Sequence, residues 1–451
     1  MWRLPDKVAL LLAATAAHGL DIPSAPSVNT EELRVWAIGD LHGDVGCARH
    51  WVERTGLVGN LSAPPDSWSW RDPAGQLIFM GDYIDRGPDS RAVLELVREL
   101  TLRFPGRVHA LLGNHELNLL VDRSRSPGGG RYLEYAYAAA HPAQYMHWLD
   151  EQEEGTEDIL RSLHDALLTV YQRNLHGQGV VMSPDSERSI VQYVQPQTAR
   201  SGVARALRRW QEAYMRGVSS RTALGSWMLR PLTIYLADTL FVHAGLSESI
   251  LAMQLPASSS PSRPLGSLAA LDELNARWLN ATQPPESDAQ AEPLAVAHSP
   301  LLELATELVE YRGLHEAYAW RYKDEHLTRG SSARQMACTR VGAVLRTLNV
   351  SRIAVGHTPE DSVRIQCGGR LLALDSTLSR SFRAHGNYYC NARMEKLDPR
   401  ICPPRKEACE GQIVRLERAD PDAAWLLHVV ESAADREHAE GGVDDRKVEL
   451  R

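Results

Sequence analysis

The sequence predicts an α/β fold on three observations: short apolar runs recur along the chain, loops dense in Gly, Asp, His and Asn follow them directly, and apolar residues take helical spacing between them. Val35-Trp36-Ala37-Ile38 runs into Gly39-Asp40-Leu41-His42-Gly43-Asp44. Leu77-Ile78-Phe79-Met80 runs into Gly81-Asp82, and Val108-His109-Ala110-Leu111-Leu112 into Gly113-Asn114-His115-Glu116. Runs this short, bounded by Gly and acidic residues, read as buried strands ending in sharp turns. Between the second and third, Ser90 to Phe104 places Val93, Leu94, Val97 and Leu100 on one helical face.

Residues 117–231 break this rhythm and read as a helical insertion, with Ile159, Leu163, Leu167 and Tyr171 in register, then Val203, Leu207, Trp210 and Tyr214. Its aromatics Tyr132, Tyr135, Tyr137, Tyr145 and Trp148 read as the insertion's core. Strand character returns from Leu232 to Val242, ending at His243-Ala244-Gly245. Two Pro-rich stretches, Pro256 to Pro264 and Gln283 to Pro293, read as surface loops around a short helix. Ile353-Ala354-Val355 then leads into Gly356-His357-Thr358. Arg370 to Asp375, Gln412 to Leu416 and Trp425 to Val430 are expected to close a second sheet, and residues 431–451 to form a disordered charged tail.

The domain expected from this pattern spans residues 31–430 of the 451, and the 43% hydrophobic and 24% charged content is that of a folded chain. A net charge of -8 argues against a nucleic-acid binder, whose affinity comes from Lys and Arg clustered on a basic surface. Residues 1–30 resemble a signal peptide and leader: the apolar run Val8 to Ala17 is too short to span a bilayer, and Ala14-Thr15-Ala16 offers a small-residue cleavage pattern. That reading implies the secretory pathway or an extracytoplasmic setting; without it the chain is cytoplasmic. No later stretch is long and apolar enough for membrane insertion. The six cysteines lack metal-site spacing, and in an oxidising compartment the close set Cys390, Cys402 and Cys409 is expected to carry a disulfide. Sequons at Asn60, Asn280 and Asn349 acquire meaning in the same compartment.

The chemistry sits on the loops. Asp40 and His42 offer oxygen and nitrogen ligands two residues apart, where a turn aims both at one point. Alone the pair means little, since Asp is a common turn residue. Asp82 stands at the same kind of strand end, and a carboxylate there can bridge two cations about 3.5–4 Å apart, a spacing used for in-line displacement at phosphorus. Asn114, His243 and His357 complete the second cation's ligands. A donor set of mixed O and N without Cys suits Mn, Fe or Zn. Such a pair generates its nucleophile from water, as a metal-activated hydroxide, so no Ser or Cys nucleophile is needed. His115, next to Asn114, stands as general acid, with Asp85 to orient its ring and Arg86 as a planar fork for phosphate oxygens.

These segments resemble a known family. Gly39 to Gly43, Gly81-Asp82-Tyr83-Ile84-Asp85-Arg86-Gly87 and Gly113 to Glu116 are similar to the three signature blocks of the phosphoprotein phosphatases, within the calcineurin-like metallophosphoesterases. Phe241 to Gly245 and Gly356 to Thr358 match the two later His blocks, in the same order, so that the resemblance covers about Val35 to Ser379. It implies a β-sandwich flanked by helices, with Asp40, His42 and Asp82 on one metal and Asp82, Asn114, His243 and His357 on the other. It also implies His115 paired with Asp85 as proton donor, Arg86 on the phosphate, and a second phosphate-binding Arg between the later blocks. Arg312 in Tyr311-Arg312-Gly313-Leu314 fits that place best, with Arg321 as competitor. The helical segment, Gly225-Ser226-Trp227-Met228-Leu229 and the Tyr-Arg-Gly element resemble the bacterial-type Shewanella-like phosphatases. The implied activity is hydrolysis of phosphomonoesters on phosphorylated proteins, at Ser/Thr or Tyr. Two rivals are a dinucleoside-polyphosphate hydrolase and a catalytically silent metal-binding module.

Overall fold

Both faces of the apolar runs are buried, which is why they read as unbroken rather than alternating hydrophobic stretches. The computed structural model describes residues 32–123, 214, 216–255, 264–281, 300–316, 318, 332–385, 406–432 and 446–450. Its strands are β1 (Leu33–Ile38), β2 (Val58–Gly59), β3 (Ser69–Trp70), β4 (Gly75–Phe79), β5 (Val108–Ala110), β6 (Thr233–Leu236), β7 (Thr239–Val242), β8 (Arg352–Val355), β9 (Arg364–Gln366), β10 (Leu371–Ala373), β11 (Gln412–Arg418), β12 (Trp425–Glu431) and β13 (Arg446–Leu450). One sheet runs β13-β12-β11-β1-β4-β5 and the second β6-β7-β8-β10-β9, with β2 and β3 as a separate pair.

The two sheets sandwich one apolar layer. Val35, Ala37, Ile78, Val414 and Leu427 of the first meet Phe241, Ala354 and Leu372 of the second. The alternate residues Trp36, Ile38, Leu77 and Phe79 turn the other way, into a core shared with helices. Those helices include α1 (Val45–Thr55), α2 (Ser90–Arg103) and α3 (Asn114–Arg123). They continue with α4 (Ala223–Trp227), α5 (Glu248–Ala252), α6 (Leu268–Ala281), α7 (Pro300–Glu310), α8 (Ala333–Leu348) and α9 (Arg380–His385). Asp44 caps α1 by accepting from Cys47 N at 3.1 Å, and Gly56 ends it with φ 69°. No helix among the described residues is long and apolar enough to cross a membrane.

Direction matters most for the site. β1 lies parallel to β4 and β4 to β5; in the second sheet β7 lies parallel to β8 and β8 to β10. The carboxyl ends of each trio therefore open on one edge, where an α/β sheet offers its binding crevice.

Three expectations change. Gln412 to Leu416 and Trp425 to Val430 do not close the second sheet: β11 pairs antiparallel with β1 and β12 with β11, on the first. A strand's apolar pattern states that it is buried, not which edge it joins. The run from Leu232 to Val242 is a hairpin rather than one strand, turning at Ala237 and Asp238, both at positive φ (55° and 54°). Finally, Arg446–Leu450 of the charged tail is a strand, added antiparallel to β12, because backbone pairing at a sheet edge tolerates charged side chains. Most of the helical insertion, including its five aromatics, lies outside the described residues, as do the leader, Arg321 and both Pro-rich loops apart from Pro264.

Candidate metal centre

Asp40, Asp82 and Asn114 follow β1, β4 and β5; His243, His357 and Asp375 follow β7, β8 and β10. Six residues from two sheets thus stand at the ends of two parallel trios, and side chains from both meet. The His357 amide donates to Asp40 Oδ2 at 2.9 Å, and Asp82 Oδ1 lies 3.3 Å from His243 Nε2.

Tight backbone approach makes this possible. A Cβ on Gly113 would overlap the amide nitrogen and Oδ1 of Asp82, and one on Gly356 would overlap Asp40 Oδ1. The Glu116 carboxylate then fixes the Asp82 loop, accepting from the amides of Asp82 (2.9 Å), Tyr83 (2.8 Å), Ile84 (3.2 Å) and Gly113 (3.1 Å). A buried carboxylate with four such donors is a rigid bracket.

Hydrogen bonds behind the imidazoles select which nitrogen faces inward. His243 Nδ1 donates to the Met80 carbonyl at 2.7 Å, leaving Nε2 for the site, where it lies 3.1 Å from Asn114 Oδ1. His42 Nδ1 likewise meets the Ile84 carbonyl at 3.2 Å, and its Nε2 is 3.7 Å from Asp82 Oδ2. His357 presents Nδ1, 3.0 Å from Asn114 Oδ1.

Among the described residues, two sets of donor atoms each lie within 4.8 Å of one another: His42 with Asp82 and His115, and Asp82 with His243 and His357. Asp82 belongs to both, as a bridging carboxylate requires. Asp40, expected beside His42, is buried next to these sets, and the Asp375 carboxyl, which the sequence reading left at the end of a strand, is buried beside Asp40. The donors fit divalent cations on this structure's own terms. Asp40 Oδ1 and Asp375 Oδ2 are buried and receive no hydrogen bond from an N–H donor. Burial, then the charges of Asp375 and Asp82, push the Asp40 carboxyl well above its ordinary pKa. Burial foremost raises Asp375 to about 6 and, with Asp82 beside it, Glu116 to about 7. Burial also drives His42 down to about 3, with the His115 charge adding to it. Asp40, Asp375 and Glu116 thus resist ionising and His42 resists protonation, while at Asp82 burial is outweighed by His243 and His115, which hold that carboxyl well below its ordinary pKa. A buried site this rich in acid groups lacks positive charge, which bound cations supply.

The two residues expected to form the proton-donor pair lie together: His115 Nδ1 is 2.7 Å from Asp85 Oδ2. Burial favours the neutral ring, but Asp82 and Asp85 outweigh it and hold the pKa above its ordinary value. Arg86 has a buried Nε without partner and lies over the Phe382 ring, 5.7 Å from its centroid, while the same ring meets His42 edge-on at 4.6 Å. Arg312 Nη1 donates to the His357 carbonyl at 2.8 Å and to Thr358 Oγ1 at 3.1 Å, so it stands against the His357 loop.

Residues 33–186 match the family described as calcineurin-like phosphoesterase, a stretch that holds Asp40, His42, Asp82, Asn114 and His115 and ends before His243. The chain is 31% identical over 123 residues to the symmetrical bis(5'-nucleosyl)-tetraphosphatase of Nitrosomonas europaea, covering 27% of this chain and 40% of that protein. It is 30% identical over 113 residues to the Shewanella-like protein phosphatase 2 of Arabidopsis thaliana, covering 23% of this chain and 27% of that one. The chain thus spans less than half the length of these curated relatives. A solved structure of a cold-active protein-tyrosine phosphatase from a psychrophilic Shewanella species aligns over 93% of this chain and 80% of its own, at 18% identity and a TM-score of 0.46.

Proposed function

We propose, on the match of residues 33–186 to the calcineurin-like phosphoesterase family, that the chain is a metal-dependent phosphomonoesterase acting on phosphorylated proteins. One observation carries the reading: donors from the ends of two parallel-strand trios converge around Asp82, which both sets share, with the His115–Asp85 pair against the same carboxylate. Asp40, His42 and Asp82 would hold one divalent cation, and Asp82, Asn114, His243 and His357 the other. When bound, the cations supply Lewis acidity, which activates water and neutralises charge on the phosphoryl group. Arg86 and Arg312 hold equatorial phosphate oxygens. His115 delivers a proton to the leaving oxygen, and Asp85 keeps its Nε2 turned toward that atom.

Two disulfides support the further reading that the chain works in an oxidising compartment outside the cytosol: Cys47–Cys409 and Cys338–Cys367.

The test measures phosphate release by the purified chain with Mn, Fe or Zn added singly. Substrates are phosphotyrosine peptides, phosphoserine/threonine peptides and a dinucleoside tetraphosphate. Phosphopeptide turnover that a chelator abolishes is the expected result. Faster cleavage of the dinucleotide would replace the reading with a polyphosphate hydrolase, and two bound metals without cleavage of any substrate would leave an interaction module.

A further inference from the structure

Asn114 and His357 share a neighbour that the ligand set leaves unused. Glu310 ends α7, and its Oε1 accepts a hydrogen bond from Asn114 Nδ2 at 3.1 Å. Its other oxygen, Oε2, lies 3.6 Å from His357 Nε2, an atom buried without a hydrogen-bond partner. The opposite ends of the same two side chains face inward. Asn114 Oδ1 lies 3.1 Å from His243 Nε2 and 3.0 Å from His357 Nδ1.

An amide offers a metal its oxygen only if its NH2 group is turned away, and an imidazole offers Nδ1 only if the proton sits on Nε2. A carboxylate on the far side favours both: it accepts the Asn114 hydrogen bond, and its negative charge 3.6 Å from His357 Nε2 favours a proton on that nitrogen. From this geometry we infer that Glu310 is a positioning residue for the second cation, holding Asn114 with Oδ1 inward and His357 in the tautomer with Nδ1 free. The inference rests on the metal-centre reading above and extends it to a residue outside the donor set. Carboxylates behind ligating side chains typically change metal affinity by about 10–100-fold when removed. Glu310 is exposed on its outer side, so its replacement leaves the core intact.

The sequence placed Glu310 immediately before the Tyr311-Arg312-Gly313 element, at the end of a helix that already carries Glu303 and Glu307. Nothing in that pattern separates it from a solvated helix face.

The experiment titrates metal-free full-length protein with Mn2+ and counts and ranks the bound ions by calorimetry and electron paramagnetic resonance. Wild type is expected to take up two. Glu310→Ala should weaken one of the two by about 10–100-fold and leave the other unchanged, with no shift in the melting temperature of the metal-free protein. Glu310→Gln, whose carbonyl still accepts from Asn114 but which offers His357 Nε2 no carboxylate, should fall between them. Two unchanged Mn2+ affinities in Glu310→Ala overturn the assignment, and a changed KM for an aryl phosphate in that same protein would move Glu310 to the substrate side. Wild type that binds fewer than two Mn2+ overturns the metal-centre reading itself, and Glu310's role with it.

Discussion

At the scale of single residues, the site is held in backbone conformations that side chains rarely adopt. His42, Asp82, Asp85, Arg86 and His357 have φ of 40°, 52°, 69°, 64° and 64°. Each such residue costs about 1–3 kcal/mol and persists only where its surroundings over-determine it, as Glu116 does for the Asp82 loop. His115 sits outside this strained group, on α3, and reaches it only through its side-chain contact with Asp85. His115→Asn is expected to lower kcat by about 10²–10⁴-fold on substrates with poor leaving groups. The Mn2+ count measured on that protein should stay at the wild-type value, and unchanged turnover on such substrates would remove His115 from the proton transfer. The strand-end residues were legible because each came with a glycine that let backbone close in, as Gly113 does at Asp82. Asp375 also follows an apolar run, Leu371 to Leu374, but no glycine marks it, and it was read as the end of a strand. Glu310 was illegible for a different reason: its meaning comes from residues 196 positions away.

At the scale of elements, local pattern specified strands and helices well and pairing poorly. α2 and the strands before Asp40, Asp82 and His357 fall where periodicity places them. The turn inside the β6–β7 hairpin did not announce itself, because Ala237-Asp238 lacks the Asn-Gly or Asp-Gly that positive φ at both positions usually brings. Tertiary contacts hold it instead: Asp238 Oδ2 accepts from Trp425 Nε1 at 2.8 Å, and Arg352 Nη1 reaches the Ala237 carbonyl at 3.3 Å. Ala237→Gly removes an αL penalty of about 1–2 kcal/mol and adds unfolded-chain entropy worth about 0.4–1 kcal/mol. The expected net effect is a gain of about 0.5–1 kcal/mol in denaturant unfolding; a loss would mean that the alanine methyl packs better than the turn is strained.

At the scale of the whole molecule, two disulfides brace the sandwich. The sequence suggested a bridge among Cys390, Cys402 and Cys409; instead Cys409 pairs with Cys47, 362 residues away, tying α1 to the segment that leads into β11. Cys390 and Cys402 lie outside the described residues. The Asp44–Arg380 ion pair, at 2.8 Å, braces the same corner. Cys338–Cys367 spans only 29 residues, between α8 and the turn before β10. Loop-closure entropy grows with the logarithm of loop length. Removing the long bridge by Cys47→Ala with Cys409→Ala should therefore cost about 2 kcal/mol more than removing the short one. Equal losses in reversible denaturation would show that strain or residual structure, not loop length, governs both.

The hydrogen bond from the His357 amide to Asp40 joins residues 317 positions apart. On a growing chain, Asp40, His42 and Asp82 leave the ribosome early and wait, partnerless, until the strands carrying His243 and His357 have been made. Contacts this distant in sequence form late. Full affinity for a metal pair would therefore arise only once both sheets exist.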